Sequence, residues 1–219
     1  MSKLSRAVRD PVVEPPDRRE QILDAATRLF AEHGFTDAAT QGLADDLGVG
    51  KGTLYRYFPS KRELFLAAVD RVMRRLHERL EQATAGVEDP LERVSLGARA
   101  YLDFFREHPE SVELLIQERA QFKDRERPTY FEHRERHVDR WREHYRKMIA
   151  SGRMRDVPVE RISDVFTAAL YGSVFLHYFG GRSETFAADA TDILDVLFHG
   201  VLSDSERVKR TSADGPGGT

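Results

Sequence analysis

Apolar residues recur at i, i+3, i+4 and i+7 along most of this 219-residue chain. That spacing lines them up on one face of an α-helix. No segment alternates apolar and polar positions with the β-branched enrichment of a strand. The pattern predicts an all-α chain of about nine helices.

Local signals place several boundaries. Asp17-Arg18-Arg19-Glu20 reads as a capping box that opens a first helix, with Ile22, Ala25, Ala26, Leu29 and Phe30 on its buried face. Gly34 is expected to close it, with Phe35 folding back over the end. Ser60 to Glu63, Asp89 to Glu92 and Thr129 to Glu132 read as three further boxes, the second with Pro90 at the first helical position. Gly152 is expected to stop the helix that Thr129 opens. A further helix runs from Pro158 to about Gly180 and Gly181, and a last one from a Ser183 cap to about Leu202. Pro11, Pro15 and Pro16 sit among charges, so residues 1–16 read as a disordered arm; the Gly- and Pro-rich end makes 203–219 a disordered tail. The last two helices are apolar on most of their circumference, as in the run Val165, Phe166, Ala169, Leu170, Val174, Phe175, Leu176. A helix of that kind must be covered on most sides, which predicts a homodimer interface. A charge at Leu194 or Leu197 is then expected to give monomers or aggregates.

Between Phe35 and Leu64 the rhythm changes. Leu43, Ala44 and Leu47 make one short apolar face, Gly48-Val49-Gly50 breaks it, and Lys51 to Phe58 makes a second short helix. Two short helices joined by a tight Gly-containing turn are a helix-turn-helix signature, whose second helix enters the major groove of DNA. Charge sharpens the picture. The whole chain carries 34 Lys and Arg against 37 Asp and Glu, net −3, which excludes a uniformly basic nucleic-acid coat. Yet Lys51, Arg56, Lys61 and Arg62 occur between residues 51 and 62 with no acid among them. A local basic patch of that kind suits phosphate.

Residues Arg19 to Leu64 resemble the DNA-binding domain of the TetR/AcrR family of bacterial transcriptional regulators. The matching motifs are Ile22-Leu23-Asp24-Ala25-Ala26, Leu29-Phe30, Gly34-Phe35, Leu43-Ala44, Gly48-Val49, Lys51-Gly52-Thr53-Leu54-Tyr55, Tyr57-Phe58 and Ser60-Lys61. The chain departs from the family pattern at Ala38, where Thr is usual, and at Gly50, where Ser is usual. Thr36 or Asp37 then become the expected caps of the second helix. The resemblance implies a three-helix DNA-binding domain over 17–64 and a helical bundle over 65–202 for ligand binding and dimerisation. It implies a homodimeric, ligand-released repressor on a palindromic double-stranded operator. The DNA-facing set would be Gln41, Lys51, Gly52, Thr53, Tyr55, Arg56, Tyr57 and Lys61. Tyr55 and Lys61 would hold phosphates, Lys51 and Arg56 would reach base edges, and Gly52 would let the backbone approach. Arg18 and Arg19, with Arg6 and Arg9 before them, would trail into a minor groove.

The bundle also holds aromatic residues suited to a cavity: Tyr101, Phe104, Phe105, Phe122, Trp141, Tyr145 and Phe166, with Arg134, His177 and Tyr178 as polar anchors. Such a lining is typical of small-molecule sites and equally of an ordinary core. The expected effector is apolar or aromatic. Arg134 falls on the apolar face of its helix and is expected either to pair with Glu113 or Glu118 or to face the cavity. His133, His137 and His144 fall on one flank of the same helix. They support a rival reading as a helical-bundle metal protein or enzyme that also uses Glu118. Arg134, Arg136 and Arg140 crowd that flank with positive charge, so no metal ligand and no cofactor is assigned. No Cys is present, which removes disulfides and thiolate chemistry. No run is long enough for a membrane span and the N-terminus lacks the apolar core of a secretory signal, so a cytoplasmic protein is expected.

Overall fold

The computed structural model describes residues 17–180 and 186–200, with side chains from residue 190 onward in the second stretch. The expected arm at 1–16, the Ser183 cap and the tail at 203–219 lie outside the described residues. Among the described residues the chain is all helix: α1 (Arg18–Asp37), α2 (Thr40–Asp46), α3 (Lys51–Tyr57), α4 (Lys61–Thr84), α5 (Pro90–Glu107), α6 (Pro109–Gln121), α7 (Thr129–Ala150), α8 (Val159–Gly180) and α9 (Phe186–His199).

Helix α1 buries Ile22, Leu23, Ala26, Thr27 and Phe30. Gly34 breaks it at φ 74°, ψ 161°, a conformation open to glycine, and one short turn follows to Asp37. The break swings Phe35 inward, where its ring meets Phe30 at 6.0 Å, Phe65 at 5.4 Å and Phe122 at 4.9 Å. Helix α4 is the spine. Its 24 residues span about 36 Å at 1.5 Å each, and it packs against α1, α5, α6 and α7. Ser60 caps it by accepting the Glu63 N–H at 3.1 Å. Asp89 caps α5 in the same way, through the Leu91 N–H at 3.0 Å.

The other side-chain N-caps expected on described residues are not formed. Asp17 makes no side-chain cap; Glu20, the other half of that box, turns instead to Arg71 of α4. Helix α2 starts after Ala39 with no side-chain cap from Thr36 or Asp37. Thr129 is the first helical residue of α7, not its cap. Its N–H and hydroxyl both donate to the Glu118 carboxylate of α6, at 3.0 and 2.7 Å. A carboxylate eleven residues away thus serves the positive end of α7. At the other end Gly152 takes φ 71° and the Arg153 N–H closes on the Met148 carbonyl at 2.8 Å.

One apolar cluster runs from α1 through α4, α5 and α6 to Val174 of α8 and Ala190 of α9. A smaller one joins Val94, Ala98, Tyr145, Met148, Phe166 and Leu194. Leu194 is therefore buried inside the protomer and Leu197 half-buried beside it. A charge at Leu194 would strike the core, which corrects its expected place on a dimer face.

Candidate nucleic-acid interface and internal cavity

Helices α2 and α3 are joined at Gly48, which takes φ 63°. The Val49 N–H donates to the Ala44 carbonyl at 2.9 Å and pins the turn. Leu43, Ala44, Leu54 and Phe58 anchor the pair in the core. With Leu54 and Phe58 turned in, the sequence leaves Lys51, Gly52, Arg56 and Tyr57 exposed and Thr53 and Tyr55 half-buried. Gly52 is open enough that an added Cβ would meet nothing within 4 Å. The Tyr55 hydroxyl sits 3.0 Å from the Thr40 hydroxyl and ties α3 to α2. Lys61 donates to the Thr36 carbonyl at 2.9 Å and stands 5.2 Å over the Phe35 ring. Exposed Gln41 of α2 donates to Asp45 at 2.8 Å. Exposed Arg18 donates to Gln21 and Arg19 lies 5.2 Å over the Phe58 ring. Arg6 and Arg9 lie outside the described residues.

These three helices are bound to the rest of the chain by specific contacts. Arg71 of α4, almost fully buried, pairs with Glu20 and Asp24 of α1. Arg62, at the start of α4, pairs with Asp124 beyond α6 at 2.6 Å and so ties α4, not α1–α3, to the α6–α7 turn. Gln117 of α6 donates to the Phe30 carbonyl of α1 at 2.9 Å and also to Glu113, whose other oxygen accepts from Tyr178 of α8 at 2.7 Å. An unbroken set of hydrogen bonds thus links α8 to α1.

A cavity of about 120 Å³ lies between α4, α5, α7 and α8. Five of the expected lining residues meet there: Tyr101, Arg134, Trp141, Tyr145 and Phe166. The other five do not. Phe122 packs on Phe35 and Phe65. Phe104 and Phe105 meet edge-to-face in the core with centroids 5.4 Å apart. Tyr178 is engaged with Glu113, and His177 Nδ1 donates within its own helix to the Ser173 carbonyl at 2.7 Å. Arg134 does face the cavity, but its acid is Asp164 of α8 at 2.5 Å, with Thr167 at 3.1 Å, and not Glu113 or Glu118. Glu118 is committed to Thr129 and Arg125.

The opposite wall differs from the aromatic one. His77 of α4 meets His133 and His137 of α7, with one ring nitrogen of each within 4.8 Å of the others. His77 and His137 stack with centroids 3.7 Å apart. Burial, and then the charges of His137, His133 and Arg136, push the His77 imidazole down to about 3. The Asp70 carboxylate accepts from His133 Nε2 at 2.7 Å. His144 points elsewhere, toward Trp141. The sequence grouped His144 with His133 and His137 because all three share one helix. No local signal joins residue 77 to that helix; only the packing of α4 on α7 does. On the floor of the cavity Tyr101 and Tyr130 share a hydroxyl hydrogen bond of 3.0 Å, and burial raises both phenols, Tyr130 to about 12.

Comparison with known proteins agrees with this architecture. A family model for bacterial regulatory proteins of the tetR family matches residues 22–68, and one for the tetracyclin repressor-like C-terminal domain matches 94–201. Together they take in more than half the chain. Curated relatives include the HTH-type transcriptional activator FasR of Mycolicibacterium smegmatis, 33% identical over 101 residues, 46% of each chain. The HTH-type transcriptional repressor KstR of Mycobacterium tuberculosis is 33% identical over 79 residues, 36% of each chain. The chain spans about half or less of the length of these relatives. Among solved structures, the TetR family regulator PfmR of Thermus thermophilus superposes with a TM-score of 0.68 at 24% identity, over 86% of this chain and 100% of that one. These relatives are transcriptional regulators and not enzymes. Among the described residues no helix is long and apolar enough to cross a membrane. The chain belongs to the tetR family of bacterial regulatory proteins.

Proposed function

We propose that the chain is a homodimeric regulator that holds a palindromic operator through α3 and releases it when an apolar effector enters the α4–α5–α7–α8 cavity. In this reading residues 17–64 are the DNA-binding domain and 65–202 the effector and dimerisation domain. One observation carries the coupling. Helix α4 starts beside α3 at Lys61 and lines the cavity with Met73, Leu76, His77 and Leu80. A cavity of about 120 Å³ is well below the roughly 300–1,000 Å³ of drug-sized sites. A larger ligand must therefore push its walls apart, and α4 is one of those walls. An effector that binds only the opened form shifts the population away from the spacing DNA requires.

The chemistry of the walls favours a mostly apolar effector with an acidic or phosphorylated end for Arg134. The solved neighbour FadR of Bacillus subtilis, 18% identical with a TM-score of 0.69 over 84% of this chain and 99% of that one, is in complex with stearoyl-CoA. A fatty acyl-CoA or a free fatty acid is accordingly the first effector to try. Whether release represses or activates depends on where the operator lies. The relatives include one activator and one repressor.

The test is operator binding. Lys51→Ala with Arg56→Ala is expected to lower operator affinity at least about tenfold, and Arg56→Ala alone to relax preference at one base pair per half-site. Gly52→Ala meets no protein atom, so an affinity loss there isolates the approach to DNA. Lys61→Ala is expected to flatten the salt dependence by about one unit. Acyl-CoA should release the wild-type operator complex, and Arg134→Ala should weaken that release. Wild-type operator affinity in the Lys51/Arg56 double variant would exclude the interface.

A further inference from the structure

We propose that His77, His133 and His137 form a binding site for a borderline divalent transition-metal ion, Zn²⁺ in the first instance, clamping α4 to α7 at the polar end of the cavity. The assignment does not depend on the operator or on the effector.

The first ground is geometry. One nitrogen of each ring lies within 4.8 Å of the other two. Some point therefore lies no farther than about 2.8 Å from all three, against about 2.0–2.1 Å for a Zn–N bond. No ligating nitrogen then has to move inward by more than roughly 0.8 Å. Two of the three come from i and i+4 of one helix, a spacing that turns both rings to the same side. The stacked His77 and His137 rings must unstack and turn edge-on to the ion, which side-chain rotation allows because both are only partly buried.

The second ground is His133. Its side chain is almost fully buried, with Nε2 in a 2.7 Å hydrogen bond to Asp70. Its Nδ1 is buried with no hydrogen-bond partner among the described residues. A buried polar nitrogen left without a partner is costly. With Nε2–H donating to the carboxylate, Nδ1 carries the lone pair. That is the carboxylate–histidine–metal arrangement, in which the acid fixes the tautomer and orients the ring.

The third ground is charge. Arg134, Arg136 and Arg140 on the same helix oppose a cation, but each has an acid. Arg134 pairs with Asp164, Arg140 with Glu81 at 2.5 Å, and Arg136 with Glu132 at 4.0 Å. Asp70 adds a carboxylate directly behind the ligand. Three neutral imidazoles suit Zn²⁺, Cu²⁺ or Ni²⁺ and do not suit Mg²⁺ or Ca²⁺. All three histidines line the cavity.

Tag-free, chelator-treated full-length protein titrated calorimetrically with Zn²⁺ is expected to bind one ion per chain at micromolar concentration or tighter, and not to bind Mg²⁺. Co²⁺ should give the visible bands of a four-coordinate ion. His77→Gln and His137→Gln should each weaken Zn²⁺ at least about tenfold, Asp70→Asn should weaken it less, and His144→Gln should change nothing. His137 is only partly buried, so its variant keeps the test open if a His133 variant fails to fold. Absence of stoichiometric Zn²⁺ binding, or equal affinity in a folded His137→Gln variant, would overturn the site. So would Mg²⁺ binding as tightly as Zn²⁺.

Discussion

Gly97 faces the indole of Trp141 so closely that an added Cβ would stand 2.3 Å from its Cη2 atom. Nothing in the backbone requires glycine there, because Gly97 lies inside α5 with helical dihedrals. The requirement is space for the ring. Two effects therefore oppose each other in Gly97→Ala. Helix propensity favours alanine by about 1 kcal/mol, while forcing a ring out of a packed site costs about 1–3 kcal/mol. Contact at 2.3 Å decides for the second, and the displaced indole must enter the cavity. The expected outcome is a lower urea midpoint and a shifted emission from Trp141, the only tryptophan. Gly42→Ala supplies the opposite sign. It is helical and its Cβ would meet nothing within 4 Å, so it should stabilise by about 0.5–1 kcal/mol. A Gly97→Ala protein as stable as Gly42→Ala would show that the indole sits elsewhere. At this scale the sequence was readable where a residue's role is local. Ser60, Gly34 and Gly152 do what their neighbours imply. Glu118 was not readable, because its partners Thr129 and Arg125 are brought to it by the α6–α7 turn.

Elements were readable wherever apolar spacing is strong: α3 and α7 lie close to both expected bounds, and α4 and α5 start where their capping residues imply. What spacing cannot give is which helix meets which. The sequence offers Arg134 either an acid of α6 or a cavity; it does face the cavity, but its acid is Asp164 of α8, and the histidines of α7 lack their α4 member until the helices pack. The α1–α4 contact shows how such pairings act on stability. Burial alone would raise the Glu20 carboxyl, but hydrogen bonds and charge from Arg71 and then Arg74 outweigh it and hold the group below its ordinary 4.5. A carboxylate whose folded value is depressed contributes stability that is fully present above the unfolded value. That contribution disappears as pH falls below 4.5 and through the folded value. Glu20→Gln should therefore lower the melting temperature at neutral pH and lessen its further fall in acid. Parallel wild-type and variant melting curves across that acid range would show that the Glu20–Arg71 pair adds nothing to the α1–α4 junction.

At the scale of the whole molecule, the described surface of α8 lacks a cover. Val165, Leu176 and Phe179 are exposed at 48%, 75% and 72%. With exposed Ala168 and half-buried Gly172 they form one stripe, spaced by three and four residues along the helix. Large residues at both ends of a stripe and small ones in the middle let a second helix approach closely and be gripped at its ends. A contiguous apolar surface of this kind on a charged chain marks an association face, and an isologous contact would place each stripe against its mate. The same helix reaches α1 through Tyr178, Glu113 and Gln117, so in the proposed dimer the contact between protomers would also position α1 and the helices packed on it. Leu176→Glu and Phe179→Glu change exposed side chains and should leave the protomer folded. The proposed dimer predicts that each variant sediments as a monomer while keeping wild-type helicity. Operator affinity should fall with it, since two α3 helices can no longer be held about 34 Å apart to enter successive major grooves. Leu194→Glu should behave differently and unfold the protomer, because Leu194 is already buried within it. If Leu176→Glu at micromolar concentration remains a dimer and binds operator as the wild type does, α8 is not the interface, and the stripe must be covered by something other than a second copy of this chain.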